Sequence, residues 1–264
     1  MAKRLALLAL LAGVLAAVPG PHDSARAAVP GTNGRIAFVR SAGAGPLEEV
    51  LMANPGIGPG PVVNLTNDPF TSDTAPSWSP DGTRVALQRS GPTAGIWILD
   101  AAAGTMGFVP HTDHGFQPSW SPDGSWIAFS RDGGADAELW KVRTDGSHLT
   151  RLTNNAAEDW EAAWSPDGRR IAFSRFLPGE GNRIFTAAPS GKGLTQVTFG
   201  GGPTAFNDVH PAWAPDGTRI AFARGGDQDD GLPLHIHTVA LADGSTSQVT
   251  GGKVQDLMPS WQPL

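Results

Sequence analysis

The sequence predicts an all-β fold, a five-bladed β-propeller of four-stranded antiparallel blades. Three observations predict it: a unit that recurs about every 45 residues, four short apolar runs inside each unit, and tight-turn chemistry between the runs. With 34 Gly and 23 Pro in 264 residues, the backbone is interrupted too often for a helical bundle or a doubly wound sheet. A hydrophobic content of 40% still suffices for a packed core.

The chain is expected to open on a leader. Lys3 and Arg4 form a basic start, Leu5 to Val18 is an apolar run, and Ala25-Arg26-Ala27 offers small residues at the two positions that a signal peptidase reads. A signal peptide over residues 1–27 is therefore expected, with export to the periplasm, the cell surface or the medium. The apolar run falls short of the roughly 20 residues a bilayer span needs, so no stable membrane span is expected. Loss of Lys3, Arg4, Arg26 and Asp23 with the leader takes the formal charge from −6 to −8.

The repeat follows. Pro76-Ser-Trp-Ser-Pro-Asp-Gly82, Pro118-Ser-Trp-Ser-Pro-Asp-Gly124, Ala162-Ala-Trp-Ser-Pro-Asp-Gly168 and Pro211-Ala-Trp-Ala-Pro-Asp-Gly217 are four copies of one unit, and Pro259-Ser-Trp-Gln-Pro263 is a shortened fifth. Trp78, Trp120, Trp164, Trp213 and Trp261 mark the innermost strands. Alternating strands come next: Arg84 to Gln88, Trp126 to Ser130, Arg170 to Ser174 and Arg219 to Ala223. A third run follows in each copy (Ile96 to Leu99, Leu139 to Val142, Ile184 to Ala187, Leu234 to Val239), and a fourth commonly ends in Leu-Thr or Val-Thr.

The turns explain why these runs are strands. In Ser-Pro-Asp-Gly, Pro presets φ near −65°, Asp bonds nearby backbone and Gly takes the positive φ that ends the turn. Asp81, Asp123, Asp167 and Asp216 hold the Asp position. The two ends of the chain complete one another, because Asn33 to Arg40 matches a second strand with no Trp segment before it. The C-terminal strand thus joins the N-terminal blade and closes the ring, which removes exposed strand edges. The expected domain is 28–264, with blades at 31–66 plus 257–264, 74–110, 116–153, 160–198 and 209–250. Trp and Phe at matched positions would pack between blades and form the core.

The repeated Trp-[Ser/Ala]-Pro-Asp-Gly-x-x-[Ile/Val]-Ala-[Phe/Leu] unit, the later Leu-Thr and the one-strand closure resemble the Pro-Asp propeller repeats of the TolB-like family. The resemblance covers residues 31–264. It implies the propeller fold and one of several roles, since propellers with this repeat serve as binding modules, as accessory domains of peptidases and, in some relatives, as enzymes. The translocation protein that names the family has an additional N-terminal α/β domain and usually six blades, and this chain is expected to depart from it in both respects.

Alignment of the copies on Trp exposes candidate chemistry. Five residues before each Trp stand Asp73, Gly115, Asp159, Asp208 and Asp256, and one position earlier stand Ser72, His114, Glu158, Asn207 and Gln255. Four carboxylates at equivalent points of a ring would converge at the channel mouth, where they would hold a divalent cation or attract a basic ligand. The same residues would alternatively cap the backbone of the loops that carry them. His210 lies near Asp208 and Asn207 in sequence, and with His114 it is the candidate for a metal-assisted lyase or hydrolase site. His237 stands where other copies have Trp97, Trp140 or Phe185, which assigns it to packing.

Composition excludes further classes. Without Cys there is no disulfide, thiol nucleophile or Cys-based zinc site. The net negative charge gives no basic face for phosphate, which argues against nucleic-acid binding. The expectation is a monomeric, exported, non-enzymatic binding or scaffold module without a cofactor. It would take a protein or small ligand on its loop face or channel mouth, at Asp73, Asp159, Asp208, Asp256, Glu158, Asn207, His114 and His210.

Overall fold

The computed structural model describes residues 35–41, 48–53, 62–68, 70–132, 136–200, 206–226 and 233–259. Its strands form five antiparallel sheets arranged as propeller blades, and no helix occurs among the described residues. The first blade contains β1 (Ile36–Ser41), β2 (Glu48–Ala53) and β3 (Val62–Asn64). The second contains β4 (Asp73–Trp78), β5 (Arg84–Arg89), β6 (Gly95–Asp100) and β7 (Met106–Phe108). β8 (Gly115–Trp120), β9 (Trp126–Asp132), β10 (Ala137–Arg143) and β11 (Thr150–Arg151) build the third. The fourth is β12 (Asp159–Trp164), β13 (Ile171–Leu177), β14 (Gly181–Ala187) and β15 (Thr195–Gln196). β16 (Asn207–Trp213), β17 (Arg219–Gly225), β18 (His235–Ala240) and β19 (Thr246–Gln248) complete the fifth. The expected leader and Trp261 lie outside the described residues.

Each Ser-Pro-Asp-Gly turn is held by its own side chains. The Asp Oδ1 accepts from the backbone N–H two residues on, at 3.0 Å for Asp81, Asp123 and Asp167 and 2.9 Å for Asp216. The closing glycines Gly82, Gly124, Gly168 and Gly217 have φ between 68° and 70°, the left-handed region that a side chain disfavours. The Leu-Thr signal also has a structural meaning. Thr66, Thr112, Thr153, Thr198 and Thr250 each accept a hydrogen bond through Oγ1 from a third-strand N–H, those of Val50, Ile96, Leu139, Ile184 and Ile236. Thr112 does this without a preceding Leu or Val.

The core lies between blades, as the matched aromatics imply. Trp120, Ile127 and Phe129 of the third blade pack on Ala86, Ile96 and Val109 of the second. Trp164 and Phe173 meet Ala128, Leu139 and Leu152 in the same way. Trp213 and Phe222 meet Ala172, Ile184 and Val197. Phe129, Phe173 and Phe222 are fully buried, and burying such a side chain contributes about 1.5–3 kcal/mol.

A bulge recurs in every complete innermost strand. The pairing of β4 with β5, β8 with β9, β12 with β13 and β16 with β17 slips by one residue at the same point. The residue three before each Trp sits there in the left-handed region: Ala75, Gln117, Glu161 and His210, with φ from 50° to 61°. Met258, three before Trp261, has φ 52° as well.

Candidate functional site

The innermost strands lie beside one another around the axis, and each enters from the loop that joins it to the preceding blade. Asp73 and Asp159 begin two of these strands, Asp208 is the second residue of a third, and all three are almost completely buried. Their carboxylates do not stand free in a ring, and only Asp159 also bonds a side chain of its own loop, its Oδ2 accepting from Asn155 Nδ2 at 2.9 Å. Each is gripped by an arginine sixteen residues on, at the end of the second strand. Arg89 meets Asp73 at 2.7 Å through both Nε and Nη2. Arg175 meets Asp159 at 2.6 and 2.7 Å, and Arg224 meets Asp208 at 2.6 and 2.7 Å. Burial of a carboxylate demands such compensation, and a two-pronged guanidinium supplies it. A cation at these oxygens would meet the positive charge of the adjoining guanidinium.

The two remaining positions differ for physical reasons. Gly115 replaces Asp in the third blade, where a Cβ would come within 2.8 Å of both the Phe129 ring and the Thr112 carbonyl. The matching Arg131 reaches the His111 carbonyl at 3.5 Å and lies 5.5 Å from the centre of the Trp140 ring. Asp256 accepts from Thr250 Oγ1 at 2.6 Å and lies 3.3 Å from His235 Nδ1. Its backbone N–H donates to Leu234, so the C-terminal segment is tied to the fifth blade.

The other candidates separate. Asn207 anchors the tip of the preceding blade, its Oδ1 accepting from Asn182 N and Nδ2 at 3.0 and 2.9 Å. Glu158 is half-buried and accepts through its carbonyl from Phe176 N. His114 is exposed, with its N–H on the Ala94 carbonyl. His210 does not join Asp208 or Asn207. Its Nδ1 lies 2.8 Å from Glu161 Oε1, and its backbone N–H donates to Glu161 Oε2 at 2.6 Å. Ser174 Oγ donates to the same Oε2 at 2.8 Å. His237 stacks on Phe222 with centroids 5.9 Å apart, in the packing role its position implied.

Glu161 and His210 both occupy the left-handed bulge position, on adjacent blades. Gln117 occupies it one blade earlier, and Ser130 Oγ links the two: it donates to Gln117 Oε1 at 3.5 Å and accepts from Glu161 N at 3.2 Å. The bulge positions therefore divide into a polar arc, Gln117–Glu161–His210, and two apolar members, Ala75 and Met258. Burial pushes the Glu161 carboxyl up, but the hydrogen bonds and charge of His210, with the Ser174 hydroxyl, outweigh it and hold the group below the ordinary carboxylate range. The arc holds an ionised carboxylate that fixes one face of an imidazole.

Sequence reasoning missed the arginines and Glu161. The constant sixteen-residue spacing from Asp to Arg is visible in the chain, as is the variation three residues before each Trp.

The profile of the TolB β-propeller domain matches residues 33–264. The chain belongs to the TolB β-propeller family. TolB from Acinetobacter baumannii is similar in structure, with a TM-score of 0.70 and 21% identity; the match covers 85% of this chain but only 54% of that protein, so this TolB-like chain spans about half its length. A TolB from Agrobacterium tumefaciens gives a TM-score of 0.65 at 20% identity, covering 76% of each chain. An oligogalacturonate lyase in complex with manganese gives 0.59 at 15% identity, over 87% of this chain and 66% of that one. At these identities the likeness is one of fold. No curated protein sequence matches the chain significantly. Among the described residues no helix is long and apolar enough to cross a membrane.

Proposed function

We propose that this TolB-like propeller is an exported, non-enzymatic binding module that receives a partner protein or small ligand at the channel mouth, on the face of the blade-joining loops. The polar arc carries this reading. A repeat scaffold places one residue per blade at the same bulge, and Gln117, Glu161 and His210 depart there from the apolar Ala75 and Met258. The three side chains are half-buried and held in fixed geometry by one another and by Ser130 and Ser174, so their concentration on adjacent blades suits recognition of a polar partner. Pull-down of cell-envelope proteins with the purified protein tests it. A partner retained by the wild type and lost with His210→Ala supports the reading. No retained partner, together with turnover of a sugar or peptide that His210→Ala abolishes, overturns it.

A second reading, a metal-assisted lyase or hydrolase at the same mouth, draws on the Glu161–His210 pair and on the likeness to the lyase. Glu161 takes His210 Nδ1 and leaves Nε2 as the reactive nitrogen. The residues fit a metal centre poorly, because no group of three or more His, Cys, Asp or Glu placed to hold an ion occurs among the described residues. Turnover of oligogalacturonides in the presence of manganese would favour this second reading over the first.

A further inference from the structure

A second feature lies on the opposite face, at the Ser-Pro-Asp-Gly turns, and is independent of the channel mouth. A cleft of about 500 Å³ opens there between the third and fourth blades, lined among others by Trp126, Trp164, Lys141, Asp123, Asp167 and Pro189. Its volume lies within the range of small-ligand sites, roughly 300–1,000 Å³.

The other blades act as internal controls for this site. Six residues after the repeat Trp, the other units carry Arg84, Arg170 and Arg219, and the first blade carries Arg35; only the third has an aromatic residue, Trp126. On the third strand, Ile98, Thr186, Thr238 and Met52 pair with the equivalent alanines, and only the third blade has a charge there, Lys141 opposite Ala128. Both departures meet at one cleft. Between the second and third blades, the Arg84 guanidinium lies 4.9 Å over the Trp120 indole and covers it. Between the third and fourth, Trp126 stands in that arginine's place.

The chemistry of the lining is specific. Lys141 Nζ lies 4.4 Å and the Arg143 guanidinium 5.3 Å from the centre of the Trp126 ring; Lys141, which lines the cleft, forms no ion pair among the described residues, and burial pulls its ammonium below the usual lysine range. Asp123 and Asp167 each spend Oδ1 on their own turn. A carboxylate offers about four acceptor sites, so both retain capacity for an incoming donor. The cleft thus combines an apolar ring surface with one cation and two acceptors. A purely anionic ligand would meet both carboxylates, and a purely apolar one would strand Lys141. A ring that has an apolar face and hydroxyls able to donate and accept satisfies every group.

We propose that this cleft binds a carbohydrate ring, stacked on Trp126, with its hydroxyls bonded to Lys141, Asp123 and Asp167. Saturation-transfer NMR and calorimetry with cellobiose, maltose and N,N′-diacetylchitobiose test it on the purified protein. Because Trp126→Arg and Lys141→Thr install residues that the same positions hold in other blades, both variants should fold with unchanged Tm. At least one sugar should bind saturably, and each variant should weaken it by about tenfold or more. No saturation transfer from any of the three sugars, or undiminished binding by Trp126→Arg, overturns the proposal. Neither outcome bears on partner capture at the channel mouth, which His210→Ala reports separately.

Discussion

Arg175 holds Asp159 by two hydrogen bonds, at 2.6 and 2.7 Å, across sixteen residues and from one strand to its neighbour. The same clasp recurs at Arg89–Asp73 and Arg224–Asp208, so it belongs to the architecture of the blade. It fixes the start of three innermost strands against the second strand of the same blade, where the loop from the preceding blade arrives.

Breaking one clasp should be costly. Asp159→Ala leaves the Arg175 guanidinium buried without a counter-charge, and the expected loss is about 3–5 kcal/mol in urea unfolding. The pair replacement Asp159→Leu with Arg175→Met should cost much less, since no uncompensated charge remains. Equal losses for the single and double variants would contradict the clasp.

Restoring the repeat residue in the third blade should fail. Gly115→Asp supplies the missing carboxylate opposite Arg131, yet its Cβ would press within 2.8 Å of Phe129 and of the Thr112 carbonyl. Overpacking of this kind costs about 1–3 kcal/mol, so thermal unfolding should show destabilisation. A gain in Tm would refute the steric account.

The Glu161 carboxyl is held below its ordinary range in the folded protein. A depressed folded pKa contributes stability that is present above the unfolded pKa, about 4.3 for Glu, and is lost as pH falls through the lower folded value. Glu161→Gln should therefore lower stability at neutral pH, by about 1–3 kcal/mol, and should flatten the decline in stability below about pH 4.3. Unfolding curves measured from neutral to acid pH for both proteins check this.

His237 gives the opposite group the same sign. Burial first, then the Arg224 charge, pulls its pKa down, so the unfolded chain binds more protons as pH falls below about 6.5. Stability should drop from pH 7 towards 5. His237→Phe, which installs the residue found at Phe185, should reduce that slope.

Much of this molecule was legible in the chain. The Trp phase, the Ser-Pro-Asp-Gly turns and the Leu-Thr ends are local signals with local physics, and they located blades and turns. The clasp was not read because attention rested on Asp73, Asp159 and Asp208 alone; their partners lie on the next strand and emerge only when antiparallel pairing places residues sixteen apart side by side. Glu161 escaped for another reason. Its position carries no repeated residue type, and what recurs there is a backbone conformation, the left-handed bulge shared with Ala75, Gln117, His210 and Met258. The sequence places His114 and His210 together at the channel mouth, whereas the structure joins His210 to Glu161 on the neighbouring blade and leaves His114 on an exposed loop.

The central claim is that the polar arc marks the binding face. Its most direct test is photo-crosslinking from a benzoylphenylalanine placed at Gln117, with Thr83 on the turn face as the control site, in the presence of cell-envelope proteins. A discrete adduct from position 117 that is absent from position 83 and lost with His210→Ala is the result predicted. No adduct at 117, or equal adducts at both positions, would contradict it.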